Sequence, residues 1–216
     1  MITPNKIRQT FQGMDRASLS VRSDYDLNPD ARPMAEGRGQ GHTLRKAAVL
    51  LPIIDRQDGV HILFTKRTAH LNNHAGQISF PGGGLEPQDR DHVDAALRET
   101  EEEIGITKNH VEIIGQLDTY ETGTNFSITP VVGLVSPRFS LQINPDEVEH
   151  VFEVPLAYLM DAKNHKQQSG IYKNIRRYYY AISYQDYTIW GATASIFMNF
   201  YDVLKSHDAT EKWEVF

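Results

Sequence analysis

Three glutamates in one short stretch have the spacing of a metal site. Glu99, Glu102 and Glu103 occupy relative positions 0, +3 and +4. An α-helix advances about 100° per residue, so the three side chains share one arc, whereas Glu101 falls on a different face. Carboxylate oxygens are the ligands that Mg²⁺ and Mn²⁺ prefer. The spacing therefore predicts a divalent metal site on a helix.

The alternative is that these glutamates form a solvated helix face, the usual role of charged runs. Solvated helices commonly interleave Lys or Arg at i+4, and Arg98 is the only basic residue near this cluster. The helix also follows the run PGGG (81–84), where the backbone can approach a ligand closely. Both features favour the metal site.

Apolar spacing predicts the elements that must position this cluster. Residues 89–104 are predicted to be helical and to end at Gly105, with one apolar stripe (Val93, Ala96, Leu97, Thr100, Ile104) facing a sheet. A second amphipathic helix is predicted over 191–204. Strands are predicted at 47–54, 61–67, 77–80, 111–120 and 127–136, with a hairpin over 175–190 and a helical turn or loop at 145–146. Strands mixed with two substantial helices indicate an α/β domain.

The chain is predicted to divide into a leader, residues 1–44, and a compact domain, residues 45–216. The leader reads as a short helix, with Ile7, Phe11 and Met14 on one face, followed by a polar loop rich in Pro and Gly.

Composition excludes several classes of protein. The chain has 216 residues and no cysteine, which rules out disulfides, thiolate zinc sites and a cysteine nucleophile. Its longest apolar run, residues 47–54, is far shorter than the roughly 20 residues needed to span a membrane. The first residues lack the apolar core of a secretory signal, so we expect a cytoplasmic protein. A net charge of −6 argues against nonspecific nucleic-acid binding.

The stretch RETEEEIGI (98–106) resembles the second half of the Nudix box, with Thr100 in place of an apolar residue. In the first half, Asp89 stands where the box has Glu, and one additional residue separates it from Arg98. This longer box resembles that of the coenzyme A pyrophosphatase branch of the Nudix hydrolases. The resemblance extends over residues 45–205.

A second motif of that branch lies upstream. The run LFTKRT (63–68), then Gly76, then FPGG (80–83) keep its spacing. Asn72 stands where the motif has a basic residue, and a lost cation can mean a lost phosphate contact. A Nudix hydrolase for a dinucleotide or nucleotide sugar is therefore the alternative, and a Nudix-fold sensor without catalysis is a further one.

The resemblance implies a Nudix fold, an α/β/α sandwich with a mixed β-sheet between helices. It also implies a pyrophosphohydrolase that uses Mg²⁺ or Mn²⁺. The expected reaction converts coenzyme A, or an acyl derivative, to 3′-phosphoadenosine 5′-phosphate and 4′-phosphopantetheine or its acyl form. The expected partner is a small nucleoside diphosphate substrate, not nucleic acid or a membrane, and a homodimer is possible at the level of the family.

The resemblance also assigns roles by position. Glu99 and Glu103 are expected to bind the metal directly, and Glu102 to bind it or to hold its water. Arg98 is expected to orient a glutamate through a bidentate contact. The candidates for general base are Glu147 and Glu149; those for contacts to substrate phosphates are Lys66, Arg67 and His74; and those for the loop bend are Gly83 and Gly84.

Two alternative roles remain open for other side chains. His70 and His74 have i, i+4 spacing, which would suit zinc if they lay on a helix with a further ligand nearby. The aromatic run Tyr178–Tyr180 could stack adenine, although alternating burial within a strand explains the same pattern.

Overall fold

A mixed β-sheet forms the centre of the protein. The computed structural model describes residues 2–14, 22–31, 43–71, 74–172 and 174–210. Asn72 and part of the leader lie outside these ranges. Within them, nine strands form the main sheet and three further strands form a separate antiparallel sheet.

The main sheet is built from one short strand near the N-terminus and eight strands between residues 45 and 155. Its strands are β1 (Arg22–Ser23), β2 (Arg45–Arg56), β3 (Gly59–Arg67), β4 (Ile78–Ser79), β5 (Gly82–Gly84), β6 (Val111–Gln116), β7 (Tyr120–Glu121), β8 (Phe126–Val135) and β9 (Val148–Pro155). The separate sheet contains β10 (His165–Tyr172), β11 (Ile175–Tyr184) and β12 (Tyr187–Trp190). The helices are α1 (Pro4–Gln12), α2 (His92–Ile104), the one-turn α3 (Leu156–Leu159) and α4 (Ala192–Thr210).

Strand β2 organises the main sheet because it has partners along both edges. It runs parallel to β8 on one side and antiparallel to β5 and β3 on the other. Its side chains alternate between two apolar clusters: Leu51 and Ile53 face one, and Ala48 and Leu50 face the other. A strand buried on both faces reads as a continuous apolar run, which is why 47–54 lacks polar residues.

Helices cover both faces of this sheet. Ala95 and Ala96 of α2 pack in the cluster that contains Ala48 and Leu50. The opposite cluster contains Phe11 of α1 and Phe200 of α4, whose ring centroids lie 6.1 Å apart. The expected α/β/α layering is therefore confirmed. The division at residue 44 stays a prediction, although α1 packs directly on the core of the domain.

The C-terminal hairpin is confirmed, and it belongs to a larger unit than expected. β11 and β12 pair around Gln185 and Asp186, and β10 pairs along the other edge of β11. Strand β10 has the polar sequence HKQQSGIY and is mostly exposed, so its pairing comes from β11 and not from its own apolar pattern.

None of the helices in the described ranges has both the length and the apolar character required to cross a bilayer.

Candidate active site

Helix α2 carries the glutamate cluster, and its two ends are well capped. Asp91 accepts hydrogen bonds from the backbone N–H groups of Val93 and Asp94. At the other end Gly105 adopts the left-handed conformation, with φ of 76°. The helix begins three residues later than predicted because residues 86–89 form a turn, closed by the Asp89 N–H on the Glu86 carbonyl, and Asp91 then caps the helix.

Glu103 is the most buried carboxylate of the cluster. Its residue surface is 2% exposed, one of its oxygens accepts the backbone N–H of Gly82 at 3.3 Å, and the other lies 3.7 Å from Arg67 Nη1. Burial raises the pKa of Glu103 to about 8, which the Arg67 charge only partly counteracts. A carboxylate in this position lacks enough positive charge around it.

Glu99 lies against the glycine strand β5. A Cβ atom on Gly83 would come within 2.5 Å of the Glu99 carboxyl group, whereas one on Gly84 would meet nothing within 4 Å. Burial raises the pKa of Glu99, and the charges of Glu102 and Glu147 add to this rise. Gly83 is therefore required for the approach of this carboxylate to the backbone.

Arg98 connects the glycine strand, the turn before α2 and two of the glutamates. It makes a bidentate contact with Asp89, with both N···O distances at 3.0 Å, and donates a hydrogen bond to the carbonyl of Gly84. Its Nη1 donates to Glu99 at 3.0 Å and to Glu102 at 2.9 Å. We had expected Arg98 to make its bidentate contact with a glutamate. The structure shows that the partner is Asp89.

Asp89 is the residue whose role the sequence reasoning missed. Its side chain is 3% exposed, and the guanidinium of Arg98 holds its pKa below the usual range. The signal was present in the motif, where Asp89 stands at the position of a box glutamate. In the turn of residues 86–89, Asp89 also accepts the backbone N–H of Glu86 at 2.8 Å, and this turn places its side chain against Arg98.

The donor set fits a hard divalent cation, although its carboxylates are shared with arginines. In the described ranges, no three His, Asp or Glu side chains gather around one point. Arg98 engages Glu99 and Glu102, while Glu103 turns toward Arg67. Burial nevertheless raises the pKa of both Glu99 and Glu103, so an added cation there would stabilise their ionised forms. Glu102 is more exposed and sits at the rim of this group.

Of the two candidate bases, Glu147 lies beside the metal-site candidates. It is half-buried, and its charge contributes to the raised pKa of both Glu99 and Glu103. Its backbone carbonyl accepts the N–H of Thr68, and its carboxylate accepts a long hydrogen bond, 3.5 Å, from Asn144. Asn144 N–H in turn donates to the carbonyl of Glu103, so the loop is attached to the end of α2.

Glu149 lies on the exposed surface in an ion pair. Lys66 Nζ donates to it at 2.7 Å and lowers its pKa. This contact also occupies Lys66, one of the expected phosphate-binding residues.

The remaining expected substrate contacts differ in their surroundings. Arg67 faces Glu103, and its Nε is buried without a hydrogen-bond partner among the described residues. His74 is exposed, has φ of 58° and pairs with Gln77. Because His70 lies in a turn and His74 has a left-handed backbone, no helix gives this pair the spacing of a zinc site. In β11, Tyr178 is exposed while Tyr180 packs against the core.

Comparison with known proteins agrees with this architecture. A family model described as the NUDIX domain matches residues 43–175. The chain belongs to the NUDIX family. It is 42% identical over 185 residues to a protein of Escherichia coli K12 named uncharacterized Nudix hydrolase NudL, covering 85% of this chain and 94% of that one. A protein of the same name from Photorhabdus laumondii is 41% identical over 152 residues, covering 70% and 81%.

Solved structures give weaker similarity. The binary complex of an Ap4A hydrolase from C. elegans is 20% identical with a TM-score of 0.49, covering 76% of this chain and 99% of that one. The NUDIX domain of Shewanella oneidensis NrtR, solved with ADP ribose, is 17% identical with a TM-score of 0.42, covering 67% and 85%. The family match and the NudL relatives therefore carry the assignment: the protein is a Nudix hydrolase, an enzyme class that acts on nucleoside diphosphate derivatives.

Gly83→Ala is expected to weaken Mn²⁺ binding by about ten-fold or more, because the new methyl group displaces the Glu99 carboxylate. Gly84→Ala is the matched control, since its methyl group meets no neighbouring atom. Titration calorimetry with Mn²⁺ on both variants measures the difference. Equal affinity of Gly83→Ala and wild-type protein would show that Glu99 is not a metal ligand.

The metal-free protein is expected to lose stability as pH rises from about 4.5 to about 8. Glu103 binds its proton more tightly when folded, so its contribution is complete below the unfolded pKa and disappears as pH passes the folded pKa. Glu103→Gln should flatten this slope, whereas Glu101→Gln, on an exposed position, should not. Urea unfolding in EDTA across this pH range measures the effect; identical slopes for Glu103→Gln and wild type would contradict it.

Proposed function

We propose that the protein hydrolyses the diphosphate of coenzyme A or acyl-coenzyme A, releasing 3′-phosphoadenosine 5′-phosphate and 4′-phosphopantetheine or its acyl form. The observation that carries this proposal is the contact between Asp89 and Arg98. It gives a structural role to the Asp-containing, longer box that resembles the coenzyme A branch. The upstream motif around Arg67 supports the same branch.

The proposed metal site consists of Glu99 and Glu103, with Glu102 as a further ligand or as a hydrogen-bond acceptor for water. Mg²⁺ or Mn²⁺ bound there would neutralise phosphate charge, orient the diphosphate and make a bound water more acidic. The guanidinium of Arg98 donates hydrogen bonds to both Glu99 and Glu102 and so holds the two carboxylates in position. Gly83 leaves room for the Glu99 carboxylate, and Gly84, where a Cβ atom would meet nothing within 4 Å, would leave room for the approach of phosphate oxygens.

In the proposed reaction Glu147 is the general base. Water attacks one phosphorus of the diphosphate, the bridging P–O bond breaks, and the leaving phosphate departs as an anion. The carboxylate of Glu147 accepts the proton of the attacking water. Glu147 is preferred to Glu149 because it interacts electrostatically with Glu99 and Glu103, whereas Lys66 holds Glu149 at the surface.

Positive side chains near the glycine strand would contact the substrate phosphates. Arg67 is the strongest candidate because its guanidinium already lies beside Glu103, with Nη1 3.7 Å from that carboxylate. Lys66 would first have to leave Glu149, and His74 would bind from its exposed position on the loop.

A Nudix hydrolase of a dinucleotide or nucleotide sugar is the second candidate. It is favoured by Asn72, which stands in the place of a basic residue in the coenzyme A motif. A homodimer, expected from the resemblance, and a cytoplasmic location, expected from the sequence, complete the proposal.

The deciding experiment is a substrate panel with Mg²⁺ and Mn²⁺. Coenzyme A and its acyl derivatives are expected to give a higher kcat/KM than NADH, ADP-ribose or diadenosine polyphosphates. The products, separated by chromatography, should be 3′-phosphoadenosine 5′-phosphate and a phosphopantetheine. Preference for any substrate without the pantetheine arm would overturn the coenzyme A assignment.

Glu147→Gln is expected to lower kcat by about 10²–10⁴-fold with little change in KM, the usual effect of removing a general base. Glu149→Gln is the matched control and should stay within about three-fold of wild type, since it loses only an exposed ion pair. Steady-state kinetics on the preferred substrate measure both. A larger effect for Glu149→Gln would reverse the assignment.

A further inference from the structure

A short loop joins the end of helix α2 to the candidate general base. The loop lies between β8 and β9. The backbone N–H of Gln142 donates to the carbonyl of Ile104 at 2.9 Å, and that of Asn144 donates to the next carbonyl back along the helix, also at 2.9 Å. The last carbonyls of a helix have no partner within it, so the loop supplies the partners that these two lack. The helix that carries the metal-site candidates therefore sets the position of the loop.

Asn144 organises the turn that contains Glu147. Its side-chain Oδ1 accepts the backbone N–H of Asp146 at 3.1 Å, which is the hydrogen bond of an Asx turn. Its own carbonyl accepts the N–H groups of Glu147 at 3.2 Å and of Val148 at 2.9 Å. Its Nδ2 donates to the Glu147 carboxylate at 3.5 Å, which is long for a hydrogen bond. The turn, more than this direct contact, therefore fixes where Glu147 lies.

Thr68 holds the same turn from the end of β3. Its backbone N–H donates to the carbonyl of Glu147 at 3.0 Å, and its hydroxyl donates to the carbonyl of Asp146 at 3.2 Å. Thr68 is 6% exposed and follows Arg67, whose guanidinium lies 3.7 Å from the Glu103 carboxylate. Glu147 is thus held between a strand that contacts Glu103 and a loop attached to the Glu103 carbonyl.

We propose that Asn144 and Thr68 are positioning residues for the reaction, and that they hold the Glu147 carboxylate beside the metal-site candidates. The charge of Glu147 already interacts with those of Glu99 and Glu103. A general base must stay within hydrogen-bond reach of the attacking water, and a shift of about 1 Å can slow a reaction strongly. Loosening the turn should therefore slow the chemical step and leave substrate affinity unchanged. This inference rests on the proposed function, in which Glu147 is the general base.

Steady-state kinetics on the panel substrate that the wild type cleaves best test the proposal. Asn144→Ala keeps the backbone bonds of residue 144 and removes only the side chain, so it should lower kcat about ten-fold and leave KM within about two-fold. Asn144→Ser restores an oxygen that can accept the Asp146 N–H, so kcat should recover to within about three-fold of wild type. Thr68→Val should also lower kcat, whereas Thr68→Ser keeps the hydroxyl and should restore it. Ser140→Ala, which removes an exposed hydroxyl from the same loop, is the matched control.

A double variant shows whether Asn144 acts through Glu147. In the Glu147→Gln background, Asn144→Ala should cause no further loss of kcat, because the carboxylate that it positions is absent. A loss that multiplies with that of Glu147→Gln, or a rise in KM at unchanged kcat, would overturn the proposal. Wild-type kcat in Glu147→Gln would overturn the proposed base and this inference together, whereas wild-type kcat in Asn144→Ala alone would overturn only this inference.

Amide hydrogen exchange provides a readout that needs no substrate. In Asn144→Ala the amides of residues 146–148 should exchange faster, because the turn loses its side-chain hydrogen bond. The amides of α2 should keep their protection, which also shows that the variant is folded. Unchanged exchange at residues 146–148 would contradict a positioning role for the Asn144 side chain.

Discussion

The site depends above all on how one guanidinium is shared among neighbouring acceptors. Arg98 binds Asp89 with two hydrogen bonds and still reaches Gly84, Glu99 and Glu102. Without this charge, the glutamates of α2 would repel one another on one helix face. Arg98 also connects the turn before the helix to the glycine strand, so one side chain contacts both the glutamates and the strand against which Glu99 packs.

Local patterns predicted the elements of this architecture well. The apolar run 47–54 predicted the strand that became β2, and the stripe on α2, with Val93 and Ala96, predicted the helix face that meets the sheet. Even the unusual Thr100 has a simple account, because its hydroxyl donates to the carbonyl of Ala96 within the helix and needs no other partner. Periodicity carries this information because burial repeats with the geometry of each element.

Features that arise from tertiary pairing were not predictable. Strand β10 has no apolar alternation and exists because β11 offers it an edge. The different environments of Glu147 and Glu149 depend on Lys66, which is distant in sequence. Residues 22–31 were read from the sequence as a polar loop or linker, but Asp24 accepts the N–H of Gly123 and Asn28 pairs with the backbone of Tyr178. These contacts join separate elements of the fold, so local sequence patterns do not predict them.

The parallel pairing of β2 with β8 also has a consequence for folding kinetics. Arg45 aligns with Phe126 across an intervening chain of about eighty residues, which includes the glycine strand and α2. Closing so long a loop is entropically slow, and non-local pairing of this kind lowers folding rates. The acidic helix can therefore form early as a local unit, but its glutamates reach their partners on β5 only once the chain has closed around them. The candidate active site is expected to be among the last parts of the molecule to become ordered.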